Sequence, residues 1–252
     1  MTREEEKQGE QNQGVSEHSR FKSLVDPFRL IVFPIKVLRE ITHSQGPLSV
    51  LPGFLLVIVL QIVTQASIIW LRASKIFLDS GGQSVSLIGS DLFGTSLLSS
   101  VLQNSLGFIL SWITYASILF LVARFFSQKK DFPMNSFLVI FGYVFSVLVV
   151  YGVITALLVS FLPEIHFEAS VWYSGTPEDL VIINDVYNAV WGSSLAFQAM
   201  DYLGLVFMFW VVGLGALLVN VSHEIKLMTA IVLSFTAYFA SLLMTAFLSA
   251  LL

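Results

Sequence analysis

Cysteine is absent from all 252 residues, which excludes a disulfide framework, a thiolate metal site and a cysteine nucleophile. Charge is scarce too. Only 12% of the chain is Asp, Glu, Lys or Arg, while 56% is apolar. Soluble domains carry about 25% charge and about 45–50% apolar residues, so a soluble globular domain is also excluded.

Where the charges are missing is more telling than how few there are. Ion-free gaps run from Glu40 to Arg72, from Asp91 to Arg124, from Asp131 to Glu164, from Asp201 to Glu224, and over the last 26 residues from Leu227. A hydrocarbon core about 30 Å thick needs about 20 apolar residues at 1.5 Å rise each, and each gap holds such a run. Spans are expected near 50–71, 101–123, 135–162, 202–222 and 227–251. They are expected to be helical, because Phe54-Leu55-Leu56-Val57-Ile58-Val59-Leu60 does not alternate as a barrel strand must. The first run starts too far into the chain, and is too long, to be expected as a cleaved leader. The fold class is therefore all-α: an integral membrane bundle of five transmembrane helices preceded by an amphipathic interfacial helix.

Lys and Arg give the expected orientation. The N-terminal segment and the two connections on its side hold eleven, against two in the other connections and the C-terminus. By the positive-inside bias the N-terminus is expected to be cytoplasmic and the C-terminus outside.

Residues 1–23 are expected to be a disordered tail, poor in apolar residues, and 24–252 the membrane domain. Asp26-Pro27 reads as a helix start. Beyond it Phe28, Ile31, Val32, Ile35 and Leu38 fall on one face and Arg29, Lys36, Glu40 and His43 on the other, with Pro34 expected to split the segment in two. A basic amphipathic helix of this kind lies in the headgroup plane. Gln45-Gly46-Pro47 turns the chain into the first span. The connection over 72–100, with Asp79-Ser80-Gly81-Gly82, reads as a loop. The one over 163–201 has five carboxylates before Asp201 and no Lys or Arg, and Thr176-Pro177-Glu178-Asp179 opens an expected amphipathic helix running to Gly192.

Ionisable side chains within a bilayer mark ion paths, proton relays or catalysis, and these spans have essentially none. No His-Glu-x-x-His, Gly-x-Ser-x-Gly, P-loop or dinucleotide pattern occurs. Glu164, His166 and Glu168 would share a face if extended, but nothing supplies the rest of a ligand set, so neither a metal nor any other cofactor is expected, nor is an enzyme. What the spans hold is neutral polar rows: Gln61, Thr64 and Gln65 in the first; Asn104, Gly107, Ser111 and Tyr115 in the second; Ser234, Tyr238, Ser241, Thr245 and Ser249 in the fifth. Such rows mark helix seams or line a cavity for a neutral solute, and seams are the preferred reading.

Three stretches carry a family likeness: Phe33-Pro34-Ile35-Lys36-Val37-Leu38-Arg39-Glu40-Ile41, Ala123-Arg124-Phe125-Phe126 with the short loop to Phe132, and Phe137-Leu138-Val139-Ile140-Phe141-Gly142-Tyr143. With the tail and the five-span layout over about 28–250, they resemble the Yip-domain family of Ypt/Rab-interacting multi-pass membrane proteins, in its prokaryotic form. The short tail and the long connection after the first span depart from eukaryotic members. The resemblance implies a non-enzymatic helical membrane protein, with a trafficking-like role among eukaryotic relatives, and carries over Gly142 and Tyr143 as motif positions.

The candidate helix-contact or partner positions are thus Gln61, Gln65, Gly142 and Tyr143. The expected partners are the lipid bilayer and a membrane or cytoplasmic protein, with a homo-oligomer also compatible and nucleic acid not expected. The leading expectation is a non-catalytic protein that organises membrane or recruits partners; the alternative is a small permease or transporter membrane subunit for a neutral solute.

Overall fold

A computed structural model describes residues 22–44, 47–90, 93–127, 132–174 and 177–251. Residues 1–21 of the expected disordered tail, the Gln45-Gly46 turn, Asp91-Leu92, the loop residues 128–131 and the Thr176 cap lie outside the described residues, while Lys22 and Ser23, also expected in that tail, are helical.

The first described residues are already helical. Helix α1 covers 22–32, the chain bends at Phe33, and α2 covers Pro34–Ser44. Pro34 causes the expected break: it has no N–H for a helical bond and suits the first position of a new helix. Because α1 begins by residue 22, Asp26-Pro27 sits inside it rather than at its start.

Among the described residues five helical spans follow, long and apolar enough to cross a membrane: Ser49–Ala73, Leu97–Phe126, Met134–Val159, Leu195–His223 and Leu227–Phe247. The protein is an integral multi-pass, all-α membrane bundle. The helices that contain these spans are α3 (Pro47–Ala73), α4 (Phe93–Phe126), the pair α5 (Met134–Val144) and α6 (Ser146–Val159), α9 (Leu195–His223) and α10 (Leu227–Leu251). At 34 residues α4 measures ~51 Å, well beyond a hydrocarbon core of about 30 Å. The third span is broken at Phe145, whose N–H turns back to the Gly142 carbonyl at 3.2 Å in a tightened last turn.

The chain divides into two compact units. One takes in Met1–Leu60, Phe108–Val147 and Phe209–Leu252. Its core is aromatic: Phe120, Phe137, Phe141 and Phe145 form a ladder, with Tyr115 edge-on to Phe141 at 4.8 Å.

The other takes in Gln61–Gly107 and Leu148–Met208, and here the connections hold structure that the sequence reading left out. The stretch read as a loop forms a hairpin, β1 (Ile76–Ser80) and β2 (Gln83–Ser86), and β3 (Ile165–Glu168) lies parallel to β1, giving the strand order β2-β1-β3. Gly81 and Gly82 both take positive φ, 58° and 84°, as the tight two-residue hairpin turn requires. The parallel pairing follows from connectivity. First and third spans leave a bilayer on the same side, and each runs almost directly into its strand. Ile76, Leu78, Ile165 and Phe167 are buried at every second position and pack with Leu87, Leu162, Trp191 and Met200. Helices α7 (Ala169–Ser174) and α8 (Pro177–Val190) complete this unit; α8 is the amphipathic helix expected there. The Trp191 indole donates to the Pro163 carbonyl at 2.9 Å.

Candidate functional site

Pro27 lies in α1 without an N–H, so the carbonyl four residues before it, that of Ser23, cannot receive the usual helical bond from it. The Tyr143 hydroxyl of α5 points there instead, donating to the Ser23 carbonyl at 3.0 Å and to the Val50 carbonyl of α3 at 2.7 Å. Tyr143 is fully buried, and one phenol ties three helices together. The approach needs glycine. A Cβ on Gly53 would strike the Ser23 carbonyl oxygen and the Tyr143 hydroxyl, and one on Gly142 would strike the Phe54 ring. Beside this, Ser146, just after the break in the third span, donates to the Pro27 carbonyl at 2.8 Å.

Ion pairs tie α1 to α2. Arg29 reaches Asp26 at 2.6 Å and Glu40 at 3.4 Å, and Lys22 reaches Glu40 at 3.1 Å. Burial pushes the Asp26 carboxyl above its usual range despite Arg29, and Asp26 Oδ2 is buried with no partner among the described residues. The Lys22 hydrogen bond holds Glu40 below its usual range.

The α1–α2 segment is therefore a platform fastened to the bundle, and the face it buries differs from the expected one. Leu30, Val37, Leu38 and Ile41 are buried, while Phe28, Val32, Phe33 and Ile35 are exposed, Val32 by 66%. Of the expected apolar face only Leu38 is buried. The break at Pro34 resets the helical phase, and at a membrane surface apolar residues serve lipid as well as protein. Lys36 and Arg39 are exposed alongside that apolar row.

Gly142 and Tyr143 are thus brought together at one interior contact. Gln61 and Gln65 belong to the other unit. Gln61 is buried, with Oε1 lacking a partner among the described residues, and Gln65 is half-buried. One turn on, a Cβ on Gly152 of α6 would come within 3.0 Å of Thr64 Oγ1, a close helix approach.

Of the other polar rows, that of the fifth span supplies a seam. Ser234 donates to the Val212 carbonyl at 2.7 Å, so the Tyr115 hydroxyl, 2.6 Å away, must donate to Ser234. In the second span only the Tyr115 end of the row joins a seam: Asn104 is exposed, and nothing lies within 4 Å of a Cβ built on Gly107. Glu164, His166 and Glu168 are all exposed, and His166 sits 3.3 Å from Asp79. No group of three metal-ligating side chains occurs among the described residues.

Sequence reasoning missed Ser23, Gly53 and Ser146. One signal was available, since Pro27 in a helical stretch leaves a carbonyl needing another donor. No family model matches this chain, and neither a curated protein nor a solved structure matches it.

Proposed function

We propose that this chain is a non-catalytic multi-pass membrane protein of Yip-like layout that uses the α1–α2 platform, on the cytoplasmic face, to organise the membrane surface and recruit partners. The observation that carries this reading is the platform itself: it is fastened from behind by the Tyr143 and Ser146 hydroxyls, and in front it exposes Phe28, Val32, Phe33 and Ile35 beside Lys36 and Arg39. An apolar row flanked by bases seats a helix at the boundary between headgroups and acyl chains of an anionic leaflet. The Lys and Arg bias supports the cytoplasmic placement. The charged residues of the spans, Arg72, Arg124 and Asp201, all lie close to span ends, which supports a non-catalytic role.

Affinity purification of the full chain from native membranes, beside a Lys36→Glu/Arg39→Glu variant, tests the reading. A stoichiometric partner should accompany the unaltered chain and be depleted from the variant. Repeated recovery of the chain with lipid alone would count against it.

A second reading, a small permease for a neutral solute, is favoured by Gln61 Oε1 and Thr155 Oγ1, which are buried in one unit without partners among the described residues. Solute uptake by proteoliposomes that is lost in Gln61→Leu/Gln65→Leu, with folding intact, would favour it over the first.

A further inference from the structure

At the end of α3, Arg72 faces a cavity of about 230 Å³ lined by Ile69, Ile76, Leu87, Leu97, Ser100, Trp172 and Tyr187. The lining comes from the first span, the hairpin, the start of α4, α7 and α8, so distant segments of sequence converge on one guanidinium. Arg72 Nε is buried and has no acceptor among the described residues. Asp201 is the carboxylate whose charge reaches Arg72, yet it is exposed on α9 and forms no ion pair with it. A guanidinium offers five N–H donors in a planar fork suited to a carboxylate or phosphate, and a single N–H donor such as Nε withdrawn from water without an acceptor is already costly. The Tyr187 phenol is pushed up to about 12, chiefly by burial and against the lowering effect of Arg72, so it stays a neutral hydroxyl at the same wall. Apart from the Ser100 hydroxyl, the rest of the lining is aliphatic and aromatic. The volume equals that of about eight water-sized groups at about 30 Å³ each, enough for an oxyanion and a short run of methylenes.

We propose that this cavity binds the oxyanion head of an amphiphile, a carboxylate or phosphate, with Arg72 pairing the head and the Leu97, Trp172 and Tyr187 walls holding the first methylenes of one chain. The head could come from a bilayer lipid or from a soluble amphiphile, and the chemistry at Arg72 is the same.

The test uses the full chain in phosphatidylcholine nanodiscs, with empty nanodiscs as background, and equilibrium dialysis of labelled octanoate, octyl phosphate and octanol. One octanoate or octyl phosphate should bind per chain, and octanol at least about tenfold more weakly, a gap of about 1.4 kcal/mol. Arg72→Gln should lose the anion preference, and Ser100→Phe, which fills the cavity but keeps the charge, should lose binding. Adding phosphatidylglycerol to the nanodisc separates the sources: displacement of octanoate supports the site with a membrane lipid as occupant, and undiminished binding supports it with a soluble one. Equal binding of octanol and octanoate by the unaltered chain would overturn the proposal whether or not either variant folds. So would full anion binding by a folded Arg72→Gln chain.

Discussion

Pro27 withholds one backbone donor from the Ser23 carbonyl, and Tyr143, 120 residues beyond Ser23, supplies it. Tyr143→Phe removes a buried O–H shared by two carbonyls, and a loss of about 1–3 kcal/mol in stability is expected, read by thermal unfolding in detergent. In a Pro27→Ala background α1 gains its own N–H for Ser23, so the cost of Tyr143→Phe should fall; an unchanged cost would show that the two groups are not coupled. Gly142→Ala drives a methyl into the Phe54 ring and should cost about 1–3 kcal/mol as overpacking. Gly142 and Tyr143 were singled out only by a likeness to a family motif. The groups they meet were not legible at all, because no local pattern encodes a bond between residues so far apart in the chain. Arg72 escaped notice for a related reason: in sequence it is a charge at a span end, and only the convergence of α4, α7 and α8 gives it walls.

At the scale of elements, charge-free gaps located the spans to within a few residues, because exclusion of ions from lipid acts on every turn of a helix. The helices of the second and fourth spans, α4 and α9, extend past those bounds, since nothing in hydropathy stops a helix that continues into a packed cap. The hairpin was missed although Gly81-Gly82 stood between strand-like stretches; serine-rich Gln83–Ser86 has little of the alternation that marks a half-buried strand. Gly82→Ala forces a side chain into a left-handed backbone and should cost about 1–2 kcal/mol, detected as faster amide exchange across β1 and β2. The Asp79 carboxyl is held below its usual range, first by the Ser84 hydrogen bond and then by His166. A depressed acid stabilises the fold above its unfolded pKa, about 3.9, and that contribution disappears as pH falls through the lower folded value. Hairpin protection should therefore weaken below about pH 4, and Asp79→Asn should flatten that dependence.

For the whole molecule, fold class was legible because it depends on what the chain lacks everywhere, whereas the platform's buried face was misread because hydrophobic periodicity does not say whether lipid or protein covers an apolar residue. The proposed function requires five membrane-crossing helices with the α1–α2 platform on the inner face, and the Lys and Arg bias then puts the first connection, which holds Gln83, on the outer one. The absence of cysteine makes the test clean. Single substitutions Lys36→Cys, Gln83→Cys and Lys226→Cys, at positions exposed in the structure, are to be labelled in intact cells with a membrane-impermeant maleimide. Gln83→Cys should react at once, and Lys36→Cys and Lys226→Cys only after the membrane is opened. Labelling of Lys36→Cys in intact cells, or protection of Gln83→Cys until the membrane is opened, would contradict the account.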